Sequence, residues 1–95
     1  MAKLDDAAIE AKLKELPEWK REGDAIVRKV KASSVRSAVA TINRIADLAE
    51  GANHHPDLTW TWRFLTISFT THDAGGLTDR DFHMARVVED VLANA

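Results

Sequence analysis

The chain contains no cysteine, which excludes a disulfide framework, a thiolate zinc site and a thiol nucleophile. It has no basic excess: 13 Lys and Arg face 15 Asp and Glu, a formal charge of −2. Surfaces for nucleic acid or anionic membranes normally carry the opposite sign, so neither partner is expected. No window approaches the roughly 18 apolar residues of a membrane span. The opening Met-Ala-Lys-Leu-Asp-Asp lacks the apolar core of a signal peptide. These absences lead to the expectation of a soluble, cytoplasmic protein. Proline is also scarce, two in all, and glycine only four, so each marks a boundary.

What is present suits one small domain, residues 1–95, too short for two cores. The 45% hydrophobic fraction is enough for one layer of helices on a sheet. A chain this small leaves apolar surface to cover, so self-association is expected.

In chain order, the spacing predicts a helix from Asp5 to Leu16, with Asp5 as N-cap, Leu4 and Ile9 as a staple and Pro17 as its end. Two strands follow, Trp19–Glu22 and Ala25–Lys31, joined by a tight Gly23-Asp24 turn. Trp19, alone among charges, reads first as core or edge packing and second as a pocket wall. Ser33 or Ser34 caps a long helix running to about Glu50, with Gly51 as the glycine after its end. Its stripe is Val35, Ala38, Val39, Ile42, Ile45, Ala46 and Ala49.

From Leu58 to Thr71 the apolar pattern has period two but changes phase: Leu58, Trp60, Trp62 and Phe64, then Leu65, Ile67 and Phe69. A one-residue slip turns every side chain over. Two antiparallel strands with a tight connection at about Trp62-Arg63 account for it. Thr78 opens the last helix as a capping box with Asp81, and Leu77 and Phe82 stand at the staple positions. Phe82, Ala85, Val88 and Leu92 form one stripe, and Met84, Val87 and Val91 a second beside it. So wide a face can cover the sheet and still meet another subunit.

Three of the four histidines lie in Asn53-His54-His55-Pro56 and Thr71-His72. Imidazole, with an unperturbed pKa of about 6.5, gives or takes a proton near neutrality. Pro56 biases His55 to extended backbone, and successive side chains there point to opposite sides. The hairpin brings His72 towards His54 and His55. Glu50, ending one helix, and Asp81, opening another, can reach the same region, as polar groups do around a small-molecule pocket. Three readings stay open from the residues alone. A three-histidine metal site has the right ligands, but adjacent extended histidines chelate poorly and no HExxH-like spacing exists. Histidines that merely finish loops are the bland reading. A proton-transfer site needs histidines, an orienting carboxylate and an apolar wall, and all are present. His83 falls on the outer face of the last helix, towards solvent.

Asn53-His54-His55-Pro56, the aromatic run, Thr71-His72 and Gly76-Leu77-Thr78-x-x-Asp81 together resemble the pterin-4a-carbinolamine dehydratase family. The likeness covers nearly the whole chain. It implies an α+β fold in the order α-β-β-α-β-β-α, three helices on one face of a four-stranded antiparallel sheet, assembled as homodimers or homotetramers. It implies loss of water from a 4a-hydroxytetrahydropterin to give the quinonoid dihydropterin, in tetrahydropterin recycling beside an aromatic amino acid hydroxylase. No cofactor or metal is implied. His54, His55 and His72 match the family's active-site histidines. Glu50 and Asp81 match its supporting acidic positions, and Trp19 and Arg80 match residues near the pterin pocket. Asn53 and Thr71, inside the matched motifs, join the supporting set. The family commonly has tyrosine where Trp62 stands, an aromatic at Leu58 and a basic residue at Gly51, while its animal members often have aspartate at Asn53. These departures fall on the strands and the pocket rim, not on the histidines. The rival implication is a non-enzymatic module, a dimerisation cofactor or assembly factor on the same fold.

Overall fold

The computed structural model describes residues 2–61 and 63–94. It contains three helices and a four-stranded antiparallel sheet, in the order that the resemblance implies. Helix α1 spans Asp6–Leu13, and the Asp5 carboxylate caps it by accepting the Ala8 N–H at 2.8 Å. The predicted end at Leu16 comes three residues late. Beyond Leu13 the chain tightens into i→i+3 turns, Glu15 to Lys12 and Leu16 to Leu13, because Pro17 drives the residue before it out of the α region.

Strands β1 (Lys20–Glu22) and β2 (Ala25–Lys31) pair antiparallel across Gly23, whose φ of 61° the turn requires. Trp19 precedes β1 rather than opening it, and lies in the core at 3% exposure.

Helix α2 spans Val35–Ala52, with the Ser34 hydroxyl accepting the Ser37 N–H. The expected stop at Glu50 is wrong: Gly51 lies inside the helix, and Asn53 takes the left-handed turn at φ 51°. Asparagine tolerates that region, and a side chain from elsewhere satisfies the last carbonyls (below). The buried face is Ala38, Thr41, Ile45 and Ala49. Val35 and Val39, placed in the stripe by spacing, are about half exposed, at 53% and 49%. The packed face is rotated towards Thr41, so part of the apolar stripe faces outward.

Strands β3 (Asp57–Thr61) and β4 (Phe64–Phe69) form the expected hairpin, and the sheet order is β1-β2-β4-β3. Of the predicted connection, Arg63 has a φ of 74°, while Trp62 lies outside the described residues. The turn absorbs the phase change. Leu58 pairs with Ile67 and Trp60 with Leu65, so these four share the helix-covered face. Phe64 departs from the parity set with Leu58 and Trp60: it stands on the other face, with the Lys29 ammonium 4.8 Å from its ring centroid.

Helix α3 (Asp79–Ala93) closes the layer. Ile9 of α1, Ile45 and Ala49 of α2, and Phe82, Ala85 and Val88 of α3 pack with Ile26, Leu65, Ile67 and Phe69 of the sheet. At about 1.5–3 kcal/mol for each large side chain removed from water, this core is the main stabilising term. No described helix is long and apolar enough to cross a membrane.

Candidate functional site

The site forms where α2 ends, β4 ends and α3 begins. Register explains the convergence. Asp57 lies opposite Ser68, so the residues before β3 run beside the end of β4. After β4 a short 3-10 turn, His72–Ala74, and Gly75 at φ 72° fold the chain back, and Thr71 bridges to Gly76. Thr78 then caps α3, with the reciprocal bond from Asp81 completing the capping box. Arg80 ties the two helix ends together by donating from Nη2 to the carbonyls of Ala52 (3.2 Å) and Asn53 (3.0 Å). A cation on the last carbonyls of α2 also suits the negative end of its dipole.

At the centre is Asp81, 0% exposed. Its Oδ2 accepts the Thr71 hydroxyl at 2.8 Å and the Thr78 N–H at 2.9 Å. Its Oδ1 lies 2.6 Å from His54 Nε2. A buried carboxylate is tolerable only when it is bonded on all sides, and the N-terminus of α3 adds a favourable field. A carboxylate in this role accepts only, so the ring proton of His54 resides on Nε2. Among the described residues Nδ1 has no partner, yet no buried side-chain N or O lacks one. Nδ1 therefore keeps some exposure, on a residue that lines a cleft. The His54 ring lies nearly parallel to Phe69, 12° between planes and 6.0 Å between centroids.

His54 lines a cleft of about 230 Å³ with Ala52, Asp79, Arg80, His83 and Met84. His55 points the other way, as the Pro56 argument predicts: His54 is buried and His55 exposed. The His55 Nε2 sits 3.2 Å from Glu50 Oε1, a surface pair. His72 is exposed and follows directly on Thr71, which bonds Asp81. Asn53 contributes its left-handed backbone and its carbonyl to the Arg80 clamp.

Trp19 does not reach the cleft. It packs against Phe69, 6.1 Å between ring centroids, and its indole donates to Glu89 at 3.1 Å, so it touches His54 only through the phenyl ring. His83 is exposed, as its spacing predicts, but it also forms part of the cleft wall beside His54. The Thr78 side chain was legible only as a cap; its bond to Thr71 Oγ1, at 2.8 Å, adds a second role. The available signal was the shortness of Asp at the third helical position, which leaves one oxygen to reach elsewhere. Among the described residues no group of three or more His, Cys, Asp or Glu is arranged to hold a metal ion.

Comparison with known proteins places the whole chain in one family and one fold. The family model described as pterin 4 alpha carbinolamine dehydratase matches residues 2–91. A protein of Thermomicrobium roseum, provisionally named as a pterin-4-alpha-carbinolamine dehydratase, is 47% identical over 98% of this chain and 100% of its own. A Nocardia farcinica protein with the same provisional name is 46% identical over 93% of each. The crystal structure of a transcriptional coactivator/pterin dehydratase from Brucella melitensis superposes with a TM-score of 0.89 at 25% identity, covering 94% of this chain and 97% of that one. A pterin dehydratase-like protein described as a RuBisCO assembly factor in the alpha-carboxysome shares the fold, with a TM-score of 0.66 at 17% identity, over 78% of this chain and 88% of that one. The family match over nearly all of the chain, joined to two relatives above 45% identity, makes this chain a member of the pterin-4a-carbinolamine dehydratase family.

Proposed function

We propose that the protein dehydrates a 4a-hydroxytetrahydropterin to the quinonoid dihydropterin by histidine acid–base catalysis. A base removes the N5 proton, the N5 electron pair forms the N5–C4a double bond, and the C4a–O bond breaks. The departing hydroxide takes a proton from an acid and leaves as water, so no electrons are exchanged. Imidazoles serve both steps near neutrality. His54 and His72 share this work, and His55 positions the pterin. Glu50, Asn53, Asp81, Arg80, Thr71 and Trp19 support the pocket, directly or through neighbours.

The observation that carries the reading is the buried His54–Asp81 pair at 2.6 Å, with the second histidine nitrogen left open. A fold kept only for binding has no use for a histidine held this way. Alanine replacement of each histidine, with 4a-hydroxytetrahydropterin dehydration followed by absorbance, tests it. Loss of most turnover in the His54 and His72 variants is expected. Near-parent turnover in all three sinks the assignment.

The second reading is a non-enzymatic binding module, favoured by the exposed Val35 and Val39 on α2 and by the coactivator name of the Brucella relative. No acceleration over buffer by the intact protein decides for it. On either reading association into a dimer or tetramer would cover that exposed stripe, and on the first a hydroxylase supplies the substrate.

A further inference from the structure

The capping box of α3 holds more than the helix. Thr71 has a single hydroxyl proton, and it goes to Asp81 Oδ2 at 2.8 Å. The 2.8 Å contact between Thr71 Oγ1 and Thr78 Oγ1 must then run from Thr78 to Thr71. Thr78 Oγ1 in turn accepts the Arg80 N–H at 3.3 Å. The bonds therefore point one way: backbone N–H of α3, Thr78 hydroxyl, Thr71 hydroxyl, Asp81 carboxylate. Thr78, Asp81 and Thr71 are all buried, at 0%, 0% and 7% exposure. Such a chain polarises along its length in a low dielectric, and it cannot reverse without stranding a donor.

We propose that Thr78 and Thr71 are positioning residues for His54. Their directed hydroxyl chain, with the Thr78 N–H, occupies Asp81 Oδ2 and so fixes the carboxylate with Oδ1 facing Nε2. Without the Thr71 donor, Asp81 keeps one anchor on Oδ2, the Thr78 N–H, and can turn about its terminal torsion, a broad, two-fold rotation; without the Thr78 hydroxyl, Thr71 loses the donor that fixes its own direction. The His54 ring would then lose its fixed acceptor, and with it a single orientation of the open nitrogen. In this arrangement the stability of a helix start and the aim of a histidine depend on one hydroxyl. The consequence for turnover rests on the dehydratase reading; the consequence for the ring does not.

The test uses Thr71→Val, which keeps the shape and removes the donor, and Thr78→Gly, since glycine remains an acceptable N-cap. Thr71→Ser and Thr78→Ser serve as rescues, and Ile45→Val, in the core away from the site, controls for lost stability. Proton NMR near neutral pH reads the His54 ring N–H, which a buried 2.6 Å bond makes deshielded and slow to exchange. The parent, both serine variants and Ile45→Val are expected to keep that resonance; Thr71→Val is expected to lose it, and Thr78→Gly, which keeps both donors on Oδ2 but frees the Thr71 hydroxyl to turn, to broaden it. In parallel kcat should fall roughly ten- to hundredfold with KM little changed, the scale of losing an orienting partner of a functional histidine. A parent-like resonance in Thr71→Val and Thr78→Gly overturns the proposal, as does its absence from the parent. If the parent shows no turnover while the resonances behave as expected, the dehydratase reading fails and the positioning role stands. If it turns over and all variants match it in kcat and spectrum, the positioning role fails and the dehydratase reading stands.

Discussion

Replacing Asp81 with asparagine separates what the carboxylate does for the fold from what it does for His54. The change keeps the shape. The new Oδ1 can still accept from the Thr71 hydroxyl and the Thr78 N–H, as Oδ2 does now at 2.8 and 2.9 Å. That turns the amide Nδ2, a donor, towards His54 Nε2, which now stands 2.6 Å from an acceptor. The histidine relieves the clash of donors by moving its proton to Nδ1. Three charge-assisted bonds become neutral ones, each weaker by about 1 kcal/mol, for a total loss of roughly 2–3 kcal/mol. A domain stable by about 5–15 kcal/mol survives that, with a midpoint lowered by roughly 10–20 °C. Catalysis should suffer more, since the nitrogen at the opening changes from acceptor to donor; a loss of about a hundredfold or more in kcat is expected. Urea unfolding gives the first number, and dehydration of the 4a-hydroxypterin at saturation gives the second. Parent-like turnover in a folded Asp81→Asn protein would refute the argument that the tautomer of His54 matters. An unchanged unfolding midpoint would refute the argument that Asp81 is a charged hub.

Arg80→Met should cost about 1–2 kcal/mol in urea unfolding, because the carbonyls of Ala52 and Asn53 lose their donor. Its KM for the pterin should rise as the wall beside His54 loosens. Gly75→Ala should cost about 1–2 kcal/mol although nothing lies within 4 Å of the added methyl, since the penalty comes from φ 72° alone; a parent-like midpoint would mean that the turn relaxes. Trp19→Phe should lose about 1–3 kcal/mol from the missing Glu89 bond and the smaller ring, with kcat changed less than in Asp81→Asn. His55→Gln, on the surface, should leave the thermal midpoint within about 1 °C, while weakening pterin binding.

Most of the fold was legible because local signals and burial agree. The Thr78 box, the Asp5 cap and the Gly23 turn are each set by a few neighbouring residues, and each appears where its spacing predicts. The hairpin at Arg63 was readable from a change of phase alone. The end of α2 was not readable, because it depends on Arg80, 27 residues away from Asn53. Gly51 carries the right local signal and is overruled by a tertiary bond. The rotation of α2 escaped for a similar reason: Val35 and Val39 belong to the same apolar stripe as Ala38, Ile45 and Ala49, and only the partner surface selects which edge of that stripe is buried.

The same distinction runs through the site. That His54 and His55 part company follows from Pro56 and extended backbone, a local argument. Which of them is buried does not, because burial is decided by a carboxylate arriving from α3. Asp81 at the third position of a helix has one oxygen bound to its own cap, so the other is free to be spent on a distant side chain. A glutamate there would place both oxygens one carbon further out, so the 2.9 Å bond to the Thr78 N–H and the 2.6 Å contact with His54 could not both keep their present geometry. Asp81→Glu should therefore keep the charge and still lose most turnover. A fully active Asp81→Glu protein would show that charge, and not the reach of the carboxylate, is what His54 requires.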